Sequence, residues 1–249
     1  MLEAHHWLVT VPIAHRGLYD RRAGRPENSL AAFDAAVAEG FACELDVHLT
    51  RAGELVVVHD TDLTALTGEA IQTEALTPDL RVRLRLSGTT EGIPTFAEVL
   101  ARVAGKVPLL VELKHPSLSA VTDLVRAVLD AVRSYRGDYA LSSFDPLIVL
   151  ALRRARPAAP VGQISGLLRN GNPLGRLVMR SLLTNHLTRP DFLSYELAGL
   201  PSDAVGRWRQ RGVRVLAWPV ESPDDEVRAM RFADNIIFGG YRPRKFPAR

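Results

Sequence analysis

The chain has 249 residues, 47% of them hydrophobic, with 31 Lys and Arg against 28 Asp and Glu. That composition sustains a sizeable core and excludes a disordered chain, while a formal charge of +3 is too mild to imply a nucleic-acid partner. The single cysteine, Cys43, excludes an internal disulfide and implies no thiolate metal site, which fits a reducing, cytoplasmic setting.

Strand-like and helix-like runs alternate from one end to the other. Met1–Trp7 lacks the basic and long apolar regions of a secretory signal. No window approaches the roughly 20 apolar residues of a spanning helix. Val11–Ala14 reads as a short strand. Ser29 then has the character of a helix N-cap, with Leu30, Phe33, Ala36 and Val37 at helical spacing before Gly40. Ala42–Leu49 and Leu55–Val58 are strands separated by a turn at Ala52-Gly53. Thr61–Gly92 is irregular and polar, and residues 60–93 read as a small insertion able to cap a site. Thr95 caps a helix over Phe96–Val103, and Pro108–Leu113 is a dense apolar strand. Helices over Ser119–Ser134, Leu147–Ala155, Ser202–Arg211 and Asp224–Phe232 alternate with strands at Tyr139–Ser142, Val161–Ile164, Asp191–Tyr195, Val213–Ala217 and Asn235–Phe238.

This alternation implies βαβ units and a parallel sheet. Polar residues stand at the ends of several strands: His15, Asp46, His59, Lys114, Ser142 and Trp218. In a (β/α)8 barrel those ends converge on one face. A doubly wound sheet often carries a Gly-rich phosphate loop, and no such loop occurs here. The expected fold is therefore an α/β TIM barrel, in a single domain over residues 1–249.

The chemistry concentrates in the first half. Glu44 and Asp46 are two apart, so in a strand they share a face. They are either solvated surface acids or ligands of one cation, and the apolar neighbours Cys43, Leu45 and Val47 favour the cation. Glu112 and Lys114 repeat that spacing on another strand. They read as a third carboxylate with a phosphate-binding cation, or as an internal ion pair. An all-oxygen ligand set suits Mg²⁺ or Ca²⁺ rather than zinc. His15 and His59 both follow apolar strands near carboxylates and cations, where they read as general acid and general base. Arg16 can grip a phosphate oxygen. Asn28 either orients a catalytic group or serves the local turn, and Trp218 either lines the substrate pocket or joins the core. His5, His6, His48, His115 and His186 lack such surroundings and read as ordinary surface or core residues.

Pro146–Pro190 holds seven arginines and no acid. Within it, Leu174–Leu187 reads as one helix of poor amphipathy carrying Arg176 and Arg180 on one face. It is either a solvated flank or a surface for weak contact with an anionic membrane.

These motifs resemble the glycerophosphodiester phosphodiesterases. The resemblance rests on His15-Arg16-Gly17, Pro26-Glu27-Asn28-Ser29, Glu44-Leu45-Asp46, Val56-Val57-Val58-His59-Asp60, Glu112-Leu113-Lys114 and Ser143-Phe144-Asp145. It implies a TIM barrel with one divalent cation on Glu44, Asp46 and Glu112, and catalytic histidines at His15 and His59. It also implies phosphate contacts from Arg16 and Lys114 and a Trp near the substrate at Trp218. The C-terminal third departs from the family pattern at Trp218-Pro219-Val220-Glu221 and over Ala233–Pro243.

The implied reaction is hydrolysis of a glycerophosphodiester to sn-glycerol 3-phosphate and an alcohol, one histidine acting as base and the other as acid. A lysophospholipase D-like action on lipid-bearing diesters such as lysophospholipids is a second reading. A non-catalytic barrel that binds phosphodiesters or lipid is a third. The oligomeric state is not legible in the sequence.

Overall fold

The computed structural model describes residues 2–3, 5–86, 88–114, 120–167 and 173–244. They fall into two compact units, Ala14–Tyr139 and Met1–Ile13 with Ala140–Arg249.

The chain opens on a helix that the sequence reading did not anticipate, α1 (Trp7–Thr10). His6 Nδ1 caps it by accepting the Leu8 N–H at 3.2 Å. The Val11 N–H donates to the Trp7 carbonyl and closes the helix. The expected strand over Val11–Ala14 therefore shrinks to β1 (Ile13–Ala14).

In the unit Ala14–Tyr139, α2 (Leu30–Glu39) starts where Ser29 Oγ accepts the Ala32 N–H at 3.1 Å and stops at Gly40 in the left-handed conformation. Such a side-chain cap contributes about 1 kcal/mol. β2 (Ala42–Leu49) and β3 (Leu55–Val57) form an antiparallel hairpin, so His59 does not end a parallel barrel strand as expected.

The following insertion is not irregular. It contains α3 (Thr64–Thr67), a 3₁₀ turn at Thr73–Ala75 and α4 (Pro78–Arg83). Leu63, Leu76, Leu84, Leu86 and Ile93 bury themselves with Val56 and Val58 in one apolar cluster. Arg81 fixes α4 by donating from Nε to Glu54 at 2.9 Å and from Nη1 to the Ile93 carbonyl at 3.0 Å. α5 (Phe96–Val103) begins with a full capping box between Thr95 and Glu98. It is tied to α2 by a bidentate Arg102–Asp34 pair. β4 (Leu109–Leu113) lies parallel to β2, with Asp46 opposite Glu112. α6 (Val121–Val132) is shorter than the expected helix, whose first residue, Ser119, lies outside the described residues.

In the other unit, five parallel strands run in sequence order. They are β5 (Tyr139–Ser143), β6 (Val161–Ser165), β7 (Phe192–Glu196), β8 (Arg214–Val220) and β9 (Asn235–Phe238). Helices separate them: α7 (Pro146–Ala155), α8 (Pro173–Ser181), α9 (Asn185–Thr188), α10 (Asp203–Gln210) and α11 (Pro223–Ala229). Gly162 is required where it stands, because a Cβ there would lie 2.3 Å from the Phe192 ring. Asn235 donates from Nδ2 to the carbonyls of Leu8 at 2.9 Å and Val11 at 2.7 Å, which ties β9 to α1. β8 runs two residues beyond Trp218, so that residue does not end its strand.

The expected segment Leu174–Leu187 is not one helix. It breaks between α8 and α9 at Leu182, which is buried with φ 57°. The fold class is the (β/α)8 TIM barrel. Among the described residues no helix is long and apolar enough to cross a membrane.

Candidate active site

Glu44 and Asp46 occupy alternate positions of β2, and Glu112 is the register partner of Asp46 on β4. Period two and parallel register thus place three carboxylates on one face of two adjacent strands. All three are buried, and one oxygen from each lies within 4.8 Å of the others.

The loop after β1 is latched onto this face. The Arg16 N–H donates to Glu44 Oε2 at 2.8 Å, and the Gly17 N–H donates to the Glu44 carbonyl at 3.1 Å. Gly17 has φ 77°, and a Cβ there would meet Ala32 at 3.0 Å, so the tight turn needs glycine. The turn carries His15 to within 4.0 Å of Glu44, measured from Nε2 to Oε2.

His59 reaches the same face by a different route. The Val58 N–H donates to the Asp46 carbonyl at 3.0 Å, so the returning hairpin delivers His59 beside Asp46. His59 Nδ1 is 2.7 Å from Asp60 Oδ1. His48 is largely buried, and its Nε2 is 3.2 Å from the His59 carbonyl. It is therefore a support of the site rather than an ordinary histidine.

Two cations complete the cluster. Lys114 Nζ lies 2.8 Å from Asp46 Oδ1 and 2.6 Å from Glu112 Oε1. Arg16 Nε is 3.4 Å from Asp46 Oδ2, and its Nη1 donates to Glu27 at 2.6 Å. Asn28 donates from Nδ2 to Asp46 Oδ2 at 2.8 Å and accepts the Asp46 N–H at 3.4 Å. Asn28 (φ 57°) and Arg16 (φ 55°) both hold left-handed backbone, which costs about 1 kcal/mol or more for a residue with a Cβ. Both are pinned by the Asn28 N–H, which donates to the Arg16 carbonyl at 2.9 Å.

The electrostatics follow from burial. Burial, then Asp46 and Glu112, push Glu44 well above the usual carboxylate range. Burial pushes Glu112 up to about 7 against the pull of Lys114. Burial would raise Asp46 as well, but Lys114 and Arg16 outweigh it and hold Asp46 below its ordinary value. Lys114 is raised because Asp46 and Glu112 outweigh its own burial. Burial, reinforced by Arg16, lowers His15 to about 3, and burial lowers His48 to about 4. His59 is lowered by burial and by Lys114, with Asp60 opposing.

Two of three converging carboxylates thus favour a proton when only Arg16 and Lys114 neutralise them. Further positive charge at this point would take the place of those protons. The all-oxygen donor set, buried and within reach of one ion, fits a hard divalent cation.

A cavity of about 140 Å³ lies alongside, lined by Arg21, Glu27, Asp60, Leu66 and Thr89 among others. Glu27 and Asp60 link it to Arg16 and His59. Trp218 belongs to the other unit. Its ring packs edge-on against Phe144 at 5.5 Å, and its buried indole N–H has no hydrogen-bond partner among the described residues. The structure therefore brings together His15, Arg16, Glu44, Asp46, His59, Glu112 and Lys114. The supporting residues that sequence reasoning missed are Glu27, His48 and Asp60. Only Glu27 and Asp60 carried a signal, as members of the quoted motifs. His115 lies outside the described residues.

A TIM barrel with buried acids, histidines and cations gathered on one face has the equipment for metal-assisted chemistry on an anionic ester. The family-level comparison fixes the class: the chain belongs to the glycerophosphoryl diester phosphodiesterase family, whose model matches residues 15–237. YhdW of Bacillus subtilis (strain 168), a candidate glycerophosphodiester phosphodiesterase, is 28% identical over 218 residues, 84% of this chain and 86% of its own. The glycerophosphodiester phosphodiesterase of Caldanaerobacter subterraneus subsp. tengcongensis is 26% identical over 243 residues, 92% of this chain and 94% of its own. A candidate glycerophosphoryl diester phosphodiesterase of Silicibacter pomeroyi DSS-3, solved by crystallography, superposes with a TM-score of 0.79 at 27% identity, covering 92% of this chain and 90% of its own. The chain is a phosphoric diester hydrolase with glycerophosphodiester phosphodiesterase function, and the expectation of a non-catalytic binding barrel is set aside.

Proposed function

We propose that this chain hydrolyses glycerophosphodiesters to sn-glycerol 3-phosphate and an alcohol, with a divalent cation, Mg²⁺ or Ca²⁺, and with His15 and His59 as acid and base. The observation that carries the reading is the convergence of Glu44, Asp46 and Glu112 within 4.8 Å, with His15 and two cations at their edge.

Glu44, Asp46 and Glu112 would hold the cation, which supplies Lewis-acid charge for the phosphoryl group. Arg16 and Lys114 lie where charge on phosphoryl oxygens needs compensation. Both are already paired with carboxylates, so they are oriented before substrate arrives. One histidine takes the proton from the glycerol 2-hydroxyl as that oxygen attacks phosphorus, and the other protonates the departing alcohol oxygen. Water then opens the cyclic phosphate with the proton transfers reversed. Asp60, 2.7 Å from His59 Nδ1, would fix the ring orientation of His59.

The test is direct. EDTA abolishes release of glycerol 3-phosphate from glycerophosphocholine, and His15→Ala or His59→Ala each lowers kcat by about 10²–10⁴-fold. Full activity in either variant removes its assigned role. A second reading, action on lysophospholipids, uses the same acids and histidines and differs only in the acyl chain on the substrate. Turnover of an acylated substrate against its deacylated counterpart separates the two.

A further inference from the structure

Helix α8 buries none of its residues. It is held to the body of its unit by backbone contacts in its last turn. Ser165 Oγ donates to the Met179 carbonyl at 2.8 Å, and the Tyr195 hydroxyl lies 3.4 Å from the Arg180 carbonyl. The side chains of its first turns are left outside.

Leu174 and Leu177 are 71% and 63% exposed, and past the break Leu183 and Leu187 are 58% and 70% exposed. These are four of the seven large hydrophobic residues so exposed among the described residues. Isolated surface leucines need no explanation, but four so exposed within fourteen residues are a concentration that does. On the nine-residue helix, Leu174, Leu177 and Val178 share one side, and Arg176 and Arg180 share another, with Arg180 one turn along from Leu177. Neither arginine has an acidic partner among the described residues. No acid occurs anywhere from Pro146 to Pro190, so the segment has no internal counter-charge.

We propose that the leucine side of α8, with Leu183 and Leu187 exposed just past the break, docks the enzyme reversibly on an anionic lipid surface. Exposed apolar side chains next to arginines with no acidic partner among the described residues match the boundary between acyl chains and anionic head groups. A second copy of this chain is the poorer occupant. A twofold contact would set the same arginines against each other with no acid to neutralise them. The proposal is independent of which diester is cleaved, because its test reads binding.

The full chain is sedimented with vesicles of phosphatidylcholine alone and of phosphatidylcholine mixed with phosphatidylglycerol. The expected result is binding to the anionic vesicles, weak binding to the neutral ones, and release as salt is raised. Arg176→Glu and Arg180→Glu should each weaken the anionic partition by roughly fivefold or more. Leu174→Asp with Leu177→Asp should abolish it. Arg180, Leu174 and Leu177 are exposed, Arg176 is half-buried, and none of them is in the acid and histidine cluster, so turnover of water-soluble glycerophosphocholine should stay unchanged. Equal binding to both vesicle types, no binding to either, or arginine variants that bind as well as the parent would overturn the proposal. So would a dimer in light scattering that the leucine variant dissociates, since the patch would then belong to a second copy. If vesicles bind as expected but glycerophosphocholine is not hydrolysed, the docking surface stands and the catalytic reading fails.

Discussion

Asp46 is held from several sides. Lys114, Arg16 and both ends of the Asn28 carboxamide meet its carboxylate or backbone. Asn28 does two things at once: it takes the left-handed conformation its loop needs and fixes one oxygen of Asp46. The alternatives of turn residue and orienting residue are thus not exclusive. Asn28→Ala should release the Asp46 carboxylate and weaken cation affinity by about 10–100-fold, as loss of a supporting hydrogen bond to a ligand does. Activity titrated against Mg²⁺ checks this, with the half-saturating concentration moving up and the plateau partly recovering. An unchanged titration would leave Asn28 with its turn role only. Lys114 makes a complementary case. In the cation-free protein it neutralises two buried carboxylates, so Lys114→Met should cost about 3–5 kcal/mol of stability in EDTA. Urea unfolding measures it, and added divalent cation should restore part of the loss by supplying the missing charge. A variant as stable as the parent in EDTA would show that the ion pairs do not hold the cluster.

The elements explain why part of the site was legible in the sequence and part was not. Glu44 and Asp46 could be paired from spacing alone, because a strand repeats every two residues. Glu112 could be added because a second apolar strand repeated the pattern, and parallel register puts it opposite Asp46. The route of His59 was hidden. Nothing in Leu55–Val58 distinguishes an antiparallel return from a further parallel strand, and only the short turn at Ala52-Gly53 hinted at it. The supporting His48 was hidden too, since its value lies in a contact with the His59 backbone that the hairpin creates. The insertion was read as polar because its apolar residues, Leu63, Leu76, Leu84, Leu86 and Ile93, are spaced with no helical or strand period. They nonetheless form a cluster on Val56 and Val58, the strand that leads into His59. Leu76→Ala should therefore cost about 2–5 kcal/mol and expose the segment to proteolysis. Limited digestion should cut first between residues 60 and 93. A variant whose first cuts fall elsewhere would show that the cluster does not hold this segment in place.

For the whole molecule, the acidic cluster is a local liability that the rest of the fold must carry. Three carboxylates converge in a buried place where desolvation raises Glu44 and Glu112, and Arg16 and Lys114 compensate only in part. A ligand that binds only the folded arrangement stabilises it by mass action, about 2.7 kcal/mol at a hundred times its dissociation constant. A chain of this size gains about 2–4 °C in Tm per kcal/mol, so saturating Mg²⁺ or Ca²⁺ should raise the Tm of EDTA-treated protein by roughly 5–10 °C. The carboxylates come from two strands that face each other in register, so the effect should depend on both. Glu44→Gln and Glu112→Gln should each reduce the shift, and Glu44→Gln should leave the cation-free protein about as stable as the parent, because Glu44 already favours a proton there. Thermal unfolding of parent and variants, with and without cation, reads both quantities. If neither ion moves the parent's Tm, the three carboxylates are a charge network neutralised by Arg16 and Lys114 alone, and the hydrolysis must proceed without a cation at this position.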